Sequence, residues 1–372
     1  MEQLLCCAPC LFGVEGILGD ELRRMGAENV QPQNGRVLFG GGIEMVARAN
    51  INSRYAERIQ IVVGSFAARS FEDLFQGVRA LPWERFISRK AAFPVKGWSL
   101  NSDLHSIPDC QSIIKKAIVE RLKQHYGIAW FEETAALVQV QFTILKNEVT
   151  LLIDTSGVGL HKRGYRANAG GAPMKETLAA AIVDVTRARL AKQVVDPCCG
   201  SGTLLIEAAL AARRIAPGIR RKFAFMNWDW FEESLWREER KRAMEQVLKD
   251  RELKAVGSDI DPEAVRLTVE NAAKAGVGGQ VRATVRDLLD FVPEGDSGVV
   301  LCNPPYGERL LDVQAARELY RTMGQVFQPK AGWSYAIISP DEEFETVFGR
   351  PADKRRKLYN GMLKCQLYMY YK

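Results

Sequence analysis

Hydrophobic and polar positions alternate along this chain in two rhythms, one of every second residue and one of every third or fourth. The first marks a half-buried strand and the second an amphipathic helix. In the first 155 residues they predict α+β structure. QLLCCAPCLF is a strand, GVEGILGDELRRMGA a helix ending near Gly26, and GRVLFGG a short strand; GIEMVARANINSRYAERIQIVVGSF is a helix leading into an apolar strand. Another helix starts over Phe71–Gly77. FPVKGWSLNSDLHSIPDCQSIIKKAIVERLKQHYG predicts strand, loop and a long helix from about Asp109, and ALVQVQFTILKNEVTLLIDTS predicts two strands joined at Lys146-Asn147-Glu148. No catalytic constellation stands out here, which suits a binding or positioning module.

The later pattern is stricter. Short apolar runs (QVVD, KAVGSD, VRATVRD, GVVLCN, SYAIISP) are mostly separated by helical segments: one from Gly202, then PEAVRLTVENAAKAG and VQAARELYRTMGQVF. Such alternation predicts a mostly parallel α/β sheet. The end differs, because KRRKLYNGMLKCQLYMYY predicts an antiparallel hairpin about an Asn360-Gly361 turn. Between the halves, GVGLHKRGYRANAGGAPMKETLAAAIV is rich in glycine and cations and turns helical after Pro173, which suits a first helical position. A tryptophan-rich insertion, FAFMNWDWFEESLWREERKRAMEQVL, separates the first two strands of the second half; it suits a lid or substrate flank and equally a satellite hydrophobic cluster.

Composition narrows the class. At 372 residues the chain exceeds one ordinary core, so two or three domains are expected, and 47% hydrophobic with 26% charged residues is a globular balance. The net charge of +6 arises in the second half: residues 1–160 hold 17 Lys+Arg and 17 Asp+Glu, residues 161–372 hold 34 and 28. This bias permits a polyanionic partner without requiring one. No run approaches the roughly 18 apolar residues of a membrane span. The start has an acidic residue at position 2 and no basic n-region, so no signal peptide is expected. Eight cysteines (6, 7, 10, 110, 198, 199, 302 and 365) form no regular framework, as expected of a reducing cytosol. Cys7-x-x-Cys10 lacks a second pair, and the histidines are scattered, so strand packing is expected of these cysteines and no metal site.

The candidate chemistry lies at strand ends. VVDPCCGSGTLLIEAAL places Asp196 at a strand terminus, followed by a Gly200-Ser201-Gly202 turn and a helix whose amino end offers free N–H groups. It lacks the Lys-Ser/Thr of a P-loop and the G-x-G-x-x-G of a dinucleotide site, which counts against ATP and NAD. Asp259 ends the next strand, where a carboxylate accepts from ribose hydroxyls, and Asp261 before Pro262 reads as a helix cap. Asp287 ends a third strand, suited to an adenine amino group. Asn303-Pro304-Pro305-Tyr306 then follows an apolar run. Proline cannot continue a ladder, so the tetrad is a rigid loop at a strand's carboxyl edge, where open parallel sheets bind ligands.

Asp196-Pro197-x-x-Gly200-Ser201-Gly202-Thr203, Asp259, Asp287 and Asn303-Pro304-Pro305-Tyr306, in this order, resemble the Rossmann-like S-adenosylmethionine-dependent methyltransferases, and the tetrad resembles their amino-methylating branch. With LHKRGYR and GGAPMKETLAAAIV, the likeness extends to bacterial THUMP-domain RNA methyltransferases that make N2-methylguanine in 23S rRNA, with tRNA-modifying relatives; PVKGWSLNSDLHSIPDCQSIIKKAIVERL resembles the THUMP domain. One departure is Cys198-Cys199, where an aromatic is expected at one position. The resemblance implies an α/β, Rossmann-like class I methyltransferase domain, with a seven-stranded sheet ending in an antiparallel hairpin, preceded by α+β ferredoxin-like and THUMP units. The expected division is a ferredoxin-like unit over 1–45, THUMP over 46–155, a linker over 156–175 and the methyltransferase over 176–372. It also implies S-adenosylmethionine at Thr177, Asp196, Pro197, Gly200, Ser201, Gly202, Thr203, Asp259, Ile260, Asp287, Leu288 and Asn303, with catalysis by Asn303, Pro304, Pro305 and Tyr306 and no metal.

A ring amine has a delocalised lone pair and is a poor nucleophile unless acceptors hold its hydrogens. The Asn303 side-chain oxygen and the Pro304 carbonyl are two such acceptors, and Tyr306 offers a face for the base. A base inside a duplex cannot reach such a loop, so a looped or flipped target is expected. Lys162, Arg163, Arg166, Arg220, Arg221 and Lys222, with Arg213, Arg214 and Lys354-Arg355-Arg356-Lys357, are the candidate phosphate contacts. The expectation is a cytoplasmic RNA guanine-N2 methyltransferase. Its rivals are tRNA methylation, adenine-N6 methylation, glutamine methylation of a protein, and an RNA-binding assembly factor with an idle site. Cys302 precedes the tetrad in the order Cys-Asn-Pro-Pro, unlike the Pro-Cys loop of cytosine-carbon enzymes, so a buried strand role is expected.

Overall fold

The computed structural model describes residues 3–166, 174–306 and 313–371. Pro173, which belongs to the linker reading above, lies outside the described residues. The first half runs β1 (Leu4–Pro9), α1 (Glu15–Arg24), β2 (Glu28–Gln33), β3 (Arg36–Gly41), α2 (Ile43–Asn52), β4 (Gln60–Ala67), α3 (Phe71–Ala80), β5 (Val95–Leu100), α4 (Ile107–Tyr126), β6 (Gln139–Leu145) and β7 (Glu148–Asp154). Local chemistry sets several boundaries. Ser70 and Asp73 form a reciprocal capping box at α3, and α4 ends at Gly127 with φ +63.

These strands make one seven-stranded sheet, in the order β2-β3-β1-β4-β7-β6-β5. The segments expected to be ferredoxin-like and THUMP units therefore share a continuous ladder, joined where β4 pairs β1 on one side and β7 on the other. The break expected at 45/46 falls inside α2. Cys6 and Cys7 are packed in β1, and among the described residues no group of three or more ligating side chains could hold a metal.

The second half runs α5 (Glu176–Val185), β8 (Gln193–Asp196), α6 (Thr203–Ala212), α7 (Glu233–Glu245), β9 (Lys254–Asp259), α8 (Pro262–Ala275), β10 (Val281–Val285), β11 (Gly298–Cys302), α9 (Val313–Val326), β12 (Trp333–Ser339), α10 (Phe344–Phe348), β13 (Lys354–Asn360) and β14 (Leu363–Tyr370). Its sheet has the order β10-β9-β8-β11-β12-β14-β13, with β8 to β12 parallel and the final hairpin antiparallel. The hairpin turns one residue later than expected. Asn360 still pairs with Leu363, so Gly361-Met362 makes the turn and only Gly361 has positive φ, at +66. A positive φ at the first central position alone is the II′ arrangement.

The tryptophan-rich insertion is a clamp between the two halves. Its Trp228 indole donates to the Leu137 carbonyl at 3.0 Å and its Trp230 indole to the Phe86 carbonyl at 2.9 Å. Trp236 is buried against Phe223, α7 packs on α2, and Arg48 of α2 pairs with the buried Glu239 at 2.7 Å. Among the described residues no helix is long and apolar enough to cross a membrane.

Candidate active site

Strand order decides what meets at the carboxyl edge. With β10, β9, β8 and β11 adjacent and parallel, Asp287, Asp259, Asp196 and Asn303 follow one another along it. Connections leave β8 in one direction and reach β11 on the other side, so a crevice opens between the glycine turn and the proline tetrad.

The turn is built tightly. Gly202 (φ +80) leaves no room for a Cβ, which would lie 2.8 Å from Thr268, while Gly200 (φ +52) borders open space. Asp259 Oδ2 accepts from the Gly200 N–H at 2.9 Å and Oδ1 from the Asp261 N–H at 3.1 Å. Each oxygen retains a second lone pair for a ligand hydroxyl. From α8, the Thr268 hydroxyl donates to the Gly200 carbonyl at 2.8 Å and the Asn271 amide to the Ser201 carbonyl at 3.0 Å. Sequence reasoning missed both residues. Their signal was present: two polar side chains three apart on the buried face of an amphipathic helix.

Asp196 is buried beneath this turn and accepts from the Cys198 N–H at 3.1 Å. Burial pushes its carboxyl up to about 8, and the nearby Asp259 adds to the shift. Asp261 caps α8 by accepting from the Glu263 N–H at 2.9 Å, as its sequence position predicts. Asp287 is exposed and spends one oxygen on the Leu289 N–H at 2.9 Å. Ile260, 70% exposed, stands beside Asp259, and Val285, its partner in the ladder register, is exposed too. Exposed apolar side chains beside two carboxylates suit a flat heterocycle carrying hydroxyl and amino donors. Ser201 and Thr203 lie at the turn's helix entry, with hydroxyls 3.4 Å apart, and Pro197 and Leu288 are buried.

At the tetrad, the Asn303 Oδ1 is buried and has no hydrogen-bond partner among the described residues. Orphaned buried acceptors are uncommon, because each costs its own desolvation. Pro304 is buried behind it. The Tyr306 hydroxyl accepts from the Asn360 amide of β13 at 2.6 Å, and burial raises the phenol. Cys302 is likewise buried and its thiol raised, first by desolvation, which removes it as a nucleophile.

Three sequence candidates sit elsewhere than expected. The Thr177 hydroxyl donates to Glu57 of the first half at 2.6 Å and is 1% exposed, so it is a joint between modules rather than part of the crevice wall. Glu57 also accepts from Lys175 at 2.8 Å and lies 3.1 Å from His161; burial alone would raise its carboxyl, but these contacts outweigh it and hold it at about 2. Arg163 is 6% exposed, donates to the Leu160 and Arg54 carbonyls at 2.7 and 2.5 Å and faces Glu207 at 3.7 Å; its Nε has no hydrogen-bond partner among the described residues, but it is buried, so Arg163 is an interior residue out of reach of RNA. Arg166 is paired inward with Glu176 at 2.6 Å. Lys162, Arg220 and Lys222 are exposed, and the half-buried Arg221 donates to the Val158 carbonyl at 2.6 Å.

Comparison with known proteins agrees with this architecture. Residues 163–369 match the RMKL-like methyltransferase domain, residues 6–60 the RlmL ferredoxin-like domain and residues 68–154 the THUMP domain. The chain is 44% identical over 373 residues to the Bacillus subtilis protein named "Putative RNA methyltransferase YpsC", covering 100% of this chain and 97% of that one. It is 33% identical to the "Ribosomal RNA large subunit methyltransferase K/L" of Psychromonas ingrahamii, covering 97% of this chain but 49% of the relative, so it spans about half the length of such proteins. Among solved structures, "SMU.472, a putative methyltransferase complexed with SAH" superposes with a TM-score of 0.95 at 44% identity, covering 100% of this chain and 98% of that one.

Proposed function

This chain belongs to the RMKL-like methyltransferase family, with a RlmL-type ferredoxin-like domain and a THUMP domain, and on that premise we propose that it methylates the exocyclic N2 of a guanine in RNA, foremost in 23S rRNA. The observation that carries the amine chemistry is the orphaned Asn303 Oδ1 at the crevice. The cost of leaving that acceptor unpaired is recovered when an N–H of the target amine reaches it. The Pro304 carbonyl takes the second hydrogen, the nitrogen becomes more tetrahedral, and its lone pair points into the crevice. Tyr306 supports the base, its hydroxyl anchored by Asn360.

S-adenosylmethionine, the cofactor of this reading, supplies an electrophilic methyl group on a sulfonium. The residues that would hold it are Asp259 at the ribose, Ile260, Asp287 and Leu288 at the purine, and the turn from Asp196 to Thr203 at the methionine end. The fit rests on open space beside Gly200 and on spare lone pairs of Asp259. No strong base is needed; orientation and preset acceptors carry the rate. The THUMP match and the names of the Bacillus subtilis and Psychromonas ingrahamii relatives favour RNA over protein or DNA, and a ribosomal RNA substrate implies a cytoplasmic enzyme.

The test is transfer of labelled methyl from S-adenosylmethionine to total RNA from cells deleted for the protein, with size fractionation and nucleoside analysis. N2-methylguanosine in the large ribosomal RNA is the expected result. Label in tRNA would overturn the substrate assignment, N6-methyladenosine the base assignment, and label confined to protein the RNA assignment.

A further inference from the structure

A surface beside the crevice joins the two halves and has the composition of a single-strand platform. Phe12, in the loop after β1, is 53% exposed and meets Tyr359 of β13 edge to face, with centroids 5.7 Å apart at 61°. Lys357 lies over the Tyr359 ring at 5.4 Å, and the next residue along β13 is Asn360, whose amide holds the Tyr306 hydroxyl. The hairpin tip continues the surface with Met362, 98% exposed. Tyr359 is therefore the chain neighbour of Asn360, which one hydrogen bond ties to Tyr306 of the catalytic tetrad.

The platform is preorganised. The Glu15 carboxylate accepts from the Gly13 N–H at 2.8 Å and the Gly35 N–H at 2.9 Å, tying the Phe12 loop to the β2–β3 turn. Arg356 donates across the seam to the Gly13 carbonyl at 2.8 Å. The four cations of β13 divide by role. Arg355 is neutralised by Glu345 and Arg356 is spent on the seam, whereas Lys354 and Lys357 are exposed. An aromatic pair fixed by the backbone, next to uncompensated lysines, matches a nucleic-acid strand with stacking bases and phosphates.

We propose that Phe12, Tyr359 and Lys357 bind the RNA strand flanking the target nucleotide, with Phe12 or Tyr359 stacking on an adjacent base and Lys357 contacting its phosphate. This deepens the proposed function and rests on it. It assigns the ferredoxin-like unit a direct share in holding RNA at the site.

The experiment measures equilibrium binding and methylation of an unmodified 23S rRNA transcript by the full chain, with S-adenosylhomocysteine binding and thermal melting as controls. Phe12→Ala and Tyr359→Ala should each raise the RNA Kd and KM by at least about tenfold. Lys357→Ala should reduce the slope of log K against log salt by about 0.7. Cofactor affinity and melting should match the parent, Phe12→Trp should restore RNA affinity, and Phe12→Leu, which keeps apolar bulk, should not. If the parent methylates the transcript and the Phe12 and Tyr359 variants do so with unchanged KM, this inference is overturned while the function stands. If the parent binds S-adenosylhomocysteine but neither binds nor methylates the transcript, the proposed function falls and the inference falls with it.

Discussion

Replacing Asn303 with alanine should separate catalysis from stability in an unusual direction. Most substitutions at a rigid buried loop cost stability. Here the side-chain oxygen is an orphaned acceptor, a state that costs the folded protein about 1–3 kcal/mol. Its removal relieves that cost and offsets the packing lost with the side chain. The melting temperature should therefore stay level or rise by a few degrees, since 1 kcal/mol corresponds to roughly 2–4 °C in domains of about 150–250 residues. Turnover should respond oppositely. A preset group aimed at charge that develops in the transition state is worth about 2.7–4 kcal/mol, or about 10²–10³ in kcat. The assay is single-turnover methyl transfer at saturating S-adenosylmethionine, with calorimetric binding of S-adenosylhomocysteine and a melting scan on the same preparation. The expected result is a loss of at least about a hundredfold in rate with cofactor affinity and melting preserved. A rate within tenfold of the parent would refute the role of Asn303, and so would a rate loss that merely tracks lost folding.

Three further substitutions probe the supports of the site. Asp259→Ala removes the acceptor for the Gly200 N–H and should weaken S-adenosylhomocysteine binding by about tenfold or more in calorimetry, with kcat at saturation less affected; unchanged affinity would dissociate Asp259 from the cofactor. Asp196 has its folded pKa raised to about 8 against about 3.9 unfolded, so its burial favours the folded state fully below pH 4 and that advantage is lost as pH rises towards 8. Urea titrations of the protein from pH 6 to 9 should show declining stability from this group, and Asp196→Asn should flatten the decline. Arg48→Ala leaves the buried Glu239 with only Arg242, 3.7 Å away, and should cost about 1.5–3 kcal/mol, read as a lower melting point and faster proteolysis between the halves.

Much of the second half was legible because its signals are local. Strand and helix periods, the Asp261 cap and the loop-forming prolines depend on neighbours a few residues away, and the α/β alternation leads to a parallel sheet whose carboxyl edge is the site. The order Asp196, Asp259, Asp287, Asn303 was likewise readable, because each residue ends its own strand or follows closely. The turn at Gly361-Met362 was misplaced by one residue, since Asn-Gly is a strong local signal that the ladder pairing of Asn360 with Leu363 overrides.

What the sequence by itself determined was most of the elements, though not β2, α7 or α10, with the chemistry offered at the strand ends and the family they resemble. Tertiary structure alone decided which polar groups remain free to act. Thr177 and Arg163 are spent on partners more than 40 residues away, Glu57 and Glu207, while Asn303 keeps an unpaired oxygen. The tryptophans became a clamp because their indoles found carbonyls in the other half, and Phe12 met Tyr359 across nearly the whole chain. Periodicity reports that a face will be buried; the partner that buries it, and whether a donor or acceptor is satisfied there, depends on residues distant in sequence and adjacent only after folding.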